Sequence, residues 1–219
     1  TRGIDIIITD HHECQGELPN ALAVIDAKRP DSTYPFTELC GAGIAFKLVQ
    51  ALDIALDKET DMQEFIECAA MATIADIVPL KSENRIIASL GIASLDADPV
   101  NKGIQALIEV SDVKKVSAGN VGFVLAPKIN AAGRLGEAGK IVDLYLTDNA
   151  DEAADIAGFL YSENKKRQDI EMSILELAKA QVETEHLDEK GVIVVFGKGW
   201  HPGVIGIVAS RRWHDRCAF

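Results

Sequence analysis

The sequence is short of several things, and each absence removes a class of protein. Its longest apolar runs, Ile4-Asp5-Ile6-Ile7-Ile8 and Val192 to Phe196, are strand-sized. A helical membrane span needs roughly 18 to 20 residues, so no membrane partner is expected. Cys14, Cys40, Cys68 and Cys217 are scattered with no CxxC pair. That spacing suggests neither a zinc knuckle nor a secreted disulfide framework, and a reduced, cytoplasmic setting is the expectation. There is no P-loop, no GxGxxG fingerprint, no internal repeat and no low-complexity tract. Basic charge is also scarce: 22 Lys and Arg face 34 Asp and Glu, for a net charge of −12. Such a balance opposes phosphate binding on average, although its distribution matters more than its sum. Residues 112–140 (Lys114, Lys115, Lys128, Arg134, Lys140 against Asp112, Glu137) and 198–216 (Lys198, Arg211, Arg212, Arg216 against Asp215) each carry +3. Two basic islands in an acidic chain permit a local anion site, while solvation alone accounts for most such runs.

What is present is ordinary globular composition, 47% hydrophobic and 26% charged over 219 residues, enough for one to two domains at about 150 residues each. The sequence opens on Thr1-Arg2-Gly3 directly before an apolar stretch and stops at Arg216-Cys217-Ala218-Phe219 without a cap. These ends read as an internal fragment. Ile4 to Thr9 reads as a buried parallel strand whose C-terminal end carries Asp10-His11-His12, where open α/β sheets place ligands. A short strand at Ala23-Val24-Ile25 follows. Helical spacing then places Ile44, Leu48, Leu52 and Ala55 on one face, and Asp61 with Glu64 forms a capping box for the next helix. Short helices are predicted around Arg85 to Leu95, Ile104 to Glu109 and Asn120 to Leu125. From Asn149 to Thr184 the chain keeps helical phase for about 35 residues, roughly 50 Å, which reads as a connector whose second half (Glu163, Lys165, Lys166, Arg167, Asp169) is a solvated face with i,i+4 pairs. A strand, Val192 to Phe196, then leads through a Gly-rich turn into a helix near Val204. The fold class is therefore α/β: a parallel-sheet domain with a helical subregion over 1–148, a connector helix over 149–186 and the start of a second α/β domain over 187–219.

Three stretches can carry chemistry. Asp10-His11-His12 can aim one imidazole at a metal and the next at a substrate; imidazole with carboxylate suits Mn²⁺, and all-oxygen sites suit Mg²⁺. The plain alternative is a surface turn with two exposed histidines. Asp76, alone in the apolar run Thr73 to Leu80, would be costly to bury without a partner, whether metal, helix N-terminus or arginine. In Ala126 to Arg134, Lys128, Asn130 and Arg134 stand among small residues that admit close approach, and arginine offers a planar fork for phosphate; a helix-terminating loop with one salt bridge is the alternative. Finally, Gly197 to Gly206 opens a helix and can cradle an anion on backbone N–H groups. Trp200 there either stacks on a base or packs in the core, and Ser210 and Arg211 face the cradle or solvent.

With those stretches in view, five blocks resemble the DHH phosphoesterase superfamily, and within it the single-strand-specific 5′→3′ DNA exonucleases. They are Thr9 to His12, Gly41 to Phe46, Ala72 to Leu80, Pro127 to Arg134, and Trp200 to Arg211, the last similar to the accessory DHHA1 domain. The resemblance implies metal-dependent phosphodiester hydrolysis on single-stranded DNA in repair and recombination. It implies a two-metal site using Mn²⁺ or Mg²⁺, with His11 and Asp76 as ligands, Asp10 in support and His12 beside the scissile phosphate. By the same resemblance Arg134, with Lys128 and Asn130, holds terminal phosphate, and His201, Gly203, Ser210 and Arg211 grip the backbone. Single-strand-binding protein is implied as a partner. The family's upstream aspartates precede Thr1, so this polypeptide alone is expected to bind Mn²⁺ weakly and not to cleave DNA. Two other readings stand: an oligonucleotide or cyclic-dinucleotide phosphodiesterase of the same superfamily, and a nuclease-dead DHH scaffold in a replication complex.

Overall fold

A computed structural model describes residues 3–211; the basic run at Arg212 and Arg216, Trp213 and Cys217 lie outside them. Two short strands, β1 (Ile7–Thr9) and β2 (Ala23–Ile25), pair in parallel with Ile7 opposite Ala23 and Thr9 opposite Ile25. Everything else regular is helical: α1 (Gly41–Ala55), α2 (Gln63–Ala75), α3 (Ser82–Ala97), α4 (Lys102–Val110), α5 (Ala118–Asn120), α6 (Ala126–Leu135), α7 (Ala138–Leu146), α8 (Ala150–Thr184) and α9 (Pro202–Ser210), with a π-helical turn, Val121–Leu125, joining α5 to α6. Among the described residues the chain is thus mostly helical, with a small parallel sheet lying beside α1.

Local chemistry explains the helix ends. Asn149 caps α8, its Oδ1 accepting from the N–H groups of Asp151 at 2.9 Å and Glu152 at 3.2 Å, with both acids in the dipole-favoured first turn. Asn101 caps α4 in the same way, accepting from Ile104 N–H at 3.0 Å. The predicted capping box at Asp61 does not form as such: α2 starts at Gln63, and Asp61 accepts from Gln63 N–H at 3.0 Å. Beneath these ends, Met71, Leu95, Ile104, Leu107, Val121 and Leu125 form one core. Leu144, Ala153, Ala157 and Leu160 form a second, where α8 packs on α4, α6 and α7. Glu67 is fully buried, and its carboxylate accepts from Ser94 Oγ at 2.6 Å and from the N–H groups of Val100 and Asn101 at 3.2 and 3.3 Å. Those bonds satisfy its charge and fix the α3–α4 link.

Three features differ from the sequence reading. β1 is exposed rather than buried, with Ile7 57% accessible, because among the described residues β2 and α1 are the elements packed on it and the sheet has two strands. Val192 to Phe196 forms no ladder, since among the described residues no strand lies beside it to pair; Val192, Val194 and Phe196 face outward. The second half of α8 is a solvated face only in part: Lys165, Lys166 and Asp169 are exposed, and Lys165 pairs with Asp169 one turn on at 3.5 Å, but Arg167 turns inward to pair with Glu171. Glu163, Asn164 and Glu171 are buried, and one stripe (Ala153, Ile156, Ala157, Leu160, Glu171, Ile174, Ala178, Val182) is inaccessible along the helix. Its lower part packs on α9 through Ile174, Leu175, Val204 and Val208, with Trp200 against that cluster.

Candidate functional site

The end of β1 and the end of α2 meet at one place. Asp10, the residue after β1, donates its backbone N–H to Ile25 O at 3.0 Å, which holds the chain as it leaves the sheet. Its Oδ1 accepts from His11 N–H at 2.7 Å and His12 N–H at 3.3 Å, and lies 2.7 Å from His12 Nδ1. These bonds, that from the His12 ring foremost, hold the Asp10 carboxyl down to about 2 from its ordinary 3.8. The two imidazoles touch, their centres 4.3 Å apart at 41°, but they take different partners: His12 turns to Asp10 and solvent, and His11, less exposed, turns to Asp76. There His11 Nδ1 lies 3.6 Å from Asp76 Oδ2.

Asp76 occupies the C-terminal cap of α2, donating its N–H to Ala72 O at 2.9 Å. The next residue, Ile77, takes a left-handed turn at φ 57° with its side chain 88% exposed, a strained conformation for a β-branched residue. Asp76 is therefore not a buried orphan; its side chain is 46% exposed and aimed at an imidazole.

His11 and Asp76 border a cavity of about 910 Å³ whose floor is apolar (Cys68, Met71, Ile129, Tyr145) and whose rim carries Asn130, Gly133 and Arg134. A second hollow of about 500 Å³, between β2 and α1, has its charges paired: Arg29 to Asp31 at 2.6 Å and Lys47 to Glu83 at 3.0 Å. The stretch 126–134 forms α6 rather than a loop, so Asn130 and Arg134 stand one turn apart on a single face above the cavity. Arg134 Nη1 donates to Gly203 O at 3.2 Å, joining α6 to the start of α9. A side chain at Gly203 would put its Cβ 2.6 Å from Arg134 O, so this approach requires glycine.

Not every candidate joins this group. Lys128 is buried; its Nζ donates to Val124 O at 2.8 Å and sits 5.5 Å from the centre of the Tyr161 ring, and burial pushes its pKa down. It closes the π-helical turn and faces away from the rim. The anion cradle is internally satisfied. His201 caps α9, its Nδ1 accepting from Gly203 N–H at 3.1 Å, while Val204 and Ile205 donate to His201 O at 2.9 and 3.1 Å. Trp200 packs in the α8–α9 core. Ser210 donates to Ile207 O at 2.9 Å, and Arg211 pairs with Glu171; both lie at the far end of the nine-residue α9. Cys68 and Tyr145, which no motif singled out, line the cavity; burial pushes the Cys68 thiol to about 12, making it an apolar wall.

Of the donors at this site, His11 and Asp76 fit one divalent cation as they stand, whereas Asp10 and His12, 2.7 Å apart, are bonded to each other. Ligand atoms of Asp10, His11 and His12 all lie within 4.8 Å of one another. With metal–ligand bonds of about 2.1 Å, two atoms on one ion stand roughly 3 to 4.2 Å apart. The 3.6 Å between His11 Nδ1 and Asp76 Oδ2 falls in that range. One imidazole and one carboxylate suit Mn²⁺ better than Mg²⁺.

Comparison with known proteins gives the same direction. Residues 1–73 match the DHH family, N-terminal domain. The single-stranded-DNA-specific exonuclease RecJ of Bacillus subtilis strain 168 is 43% identical over 212 residues, 95% of this chain and 26% of that protein. A crystal structure of RecJ in complex with Mn²⁺ from Thermus thermophilus superposes with a TM-score of 0.84 at 38% identity, covering 96% of this chain and 31% of that one. The Mg²⁺ complex from the same organism gives 0.76 at 37%, with 95% and 31% covered. The chain spans between about a quarter and two-fifths of the length of such curated relatives. No described helix is long and apolar enough to cross a membrane.

Proposed function

We propose, from the DHH-family match over residues 1–73 and the likeness to RecJ along 95% of the chain, that the full-length protein hydrolyses phosphodiester bonds of single-stranded DNA from the 5′ end, using Mn²⁺ or Mg²⁺. The observation that carries this is the convergence of His11 Nδ1 and Asp76 Oδ2 at 3.6 Å on the edge of a cavity rimmed by Asn130 and Arg134. An imidazole and an acid from elements 65 positions apart in sequence meet beside a guanidinium suited to phosphate.

His11 and Asp76 would hold the cation, which would supply charge neutralisation and lower the pKa of water there. Asp10 fixes His12 through its Nδ1–H, leaving the opposite ring nitrogen free to face the scissile phosphate. Asn130 and Arg134 hold the terminal phosphate above the apolar floor, and Gly203 and His201 form the second lip of the cleft. Residues 1–148 are assigned to the DHH domain, 149–186 to the connector and 187–219 to the DHHA1-like domain. The substrate places the protein in DNA repair and recombination in the cytoplasm, with single-strand-binding protein as its partner.

His11→Ala in the full-length protein tests the reading. Loss of at least about a hundred-fold in kcat with an unchanged melting temperature is expected. Undiminished hydrolysis would remove the assignment, and unfolding would make His11 structural. Cleavage of dimers to pentamers only would favour the small-oligonucleotide phosphodiesterase instead, and a parent protein with no hydrolysis would favour the scaffold.

A further inference from the structure

We propose that Glu171 is a positioning residue that sets the second lip of the cleft, and that Arg211 acts through it rather than by touching DNA; this rests on the strand-cleaving reading above. Glu171 lies on α8 with its carboxylate 1% exposed. Burial of such a charge is tolerated only with close counter-charges. Arg167 Nη1 supplies one, 2.8 Å from Oε2, while its Nη2 donates to Asn164 Oδ1 at 3.0 Å. Arg211 Nε supplies the other, in ion-pair contact with Oε1, an oxygen that makes no hydrogen bond. Arg211 is the residue directly after α9, so the pair ties the end of that helix to α8.

The opposite end of α9 is tied as well, by Arg134 to Gly203 O. Between the two ties, Val204 and Val208 pack on Ile174 and Leu175. A helix of nine residues behaves as a rod of about 13 Å, so what fixes its C-terminus also fixes its N-terminus. The carbonyl that aims Arg134, and the His201 cap beside it, are therefore held in place from Glu171. Arg211 reaches the buried acid through its Nε at the far end of the rod and stays half-exposed, so the tie to Glu171 is the contact it makes, and the salt dependence of binding separates that role from a phosphate contact.

Steady-state cleavage and binding of a fluorescent single strand by the full-length protein test this with E171Q, R211Q and the double variant. Each single change is expected to raise KM roughly five- to ten-fold with kcat within about two-fold. The double variant should be no worse than either single, as for two residues acting as a unit. The slope of log binding constant against log salt should stay unchanged in R211Q. A slope reduced by about one, with the R211Q effect adding to that of E171Q, would make Arg211 a direct phosphate contact and overturn the proposal. A lowered melting temperature with unchanged KM would overturn it too, leaving Glu171 merely structural. Should E171Q fail to fold, R211Q at its half-exposed position gives the same reading. An inactive parent protein removes the strand-cleaving reading and this proposal together; an active parent with unaffected variants removes this proposal alone.

Discussion

At the scale of single residues, the group after β1 divides its labour by hydrogen bonding. Two adjacent histidines have the same intrinsic chemistry, yet Asp10 binds one and leaves the other to Asp76. The sequence showed that the three residues sit together at a strand end; which imidazole turns inward depends on backbone angles that no residue type encodes. Asp10 titrates near 2 against an ordinary 3.8. With its folded value depressed, its bonds to His12 and the His11 and His12 amides contribute stability above pH about 4, lost as pH falls through 2. An NMR titration of the Asp10 carboxyl should therefore show a midpoint near 2, moving up toward 3.8 in His12→Ala; a midpoint of 3.8 in the parent chain would mean that the bonds do not persist in solution. Arg134 has two tasks, holding Gly203 O and presenting charge to the cavity rim. Arg134→Ala in the full-length protein should raise KM for 5′-phosphorylated strands about ten-fold, the loss of one charged hydrogen bond, and that for 5′-hydroxyl strands less. Equal increases would remove the terminal-phosphate role.

Among the elements, periodicity made some legible and hid others. α8 was readable because small and apolar residues keep a 3.6-residue phase from Ala153 to Val182. Its charged second half is legible as a solvent face at Lys165, Lys166 and Asp169 but not at Glu163, which turns inward, nor does the pattern reveal that Glu171 is buried against Arg211, a partner 40 positions downstream. α6 hid behind its glycine and proline; Pro127 falls in the first turn, where a missing N–H costs nothing, and the glycines face outward or end the helix at Gly136. The π-helical turn before it is likewise invisible to pattern, being closed by the Lys128 ammonium on Val124 O. Close packing is the most sharply testable property at this scale. In α4, a Cβ at Gly103 would lie 1.9 Å from Leu144 O on α7, a backbone atom that cannot turn aside. Gly103→Ala should cost about 1–3 kcal/mol or more by separating the two helices, read as a lower urea midpoint; an unchanged midpoint would mean that α4 and α7 do not touch there.

Over the whole molecule, the proposed function raises the question of how a chain of net charge −12 would bind a polyanion. The cavity rim presents Arg134 and Asn130, with Asp76 beside it and Asp10 at the adjoining strand end, and on the proposed reading these acids would draw a cation. A bound cation reverses the local sign, so the same carboxylates that repel phosphate in its absence attract it in its presence. The described donors set a limit on this. Asp10 and Asp76 offer two negative charges and His11 and His12 none when neutral, whereas two divalent cations bring four positive ones. One cation is well matched and a second is left with little compensation. We therefore expect the 219-residue polypeptide to bind a single Mn²⁺ weakly, near millimolar, and to show no processive hydrolysis of single-stranded DNA. Titration of Mn²⁺ followed by its EPR signal gives the number bound, and a denaturing gel of labelled single strands gives the cleavage. Two tightly held ions, or processive degradation by this polypeptide, would mean that ligands beyond Asp10, His11, His12 and Asp76 complete the centre. Removal of the metal with chelator should leave the helical core unfolded no more easily, because Asp10, His11 and His12 follow the end of β1 and Asp76 caps α2, all outside the clusters centred on Met71 and Leu144.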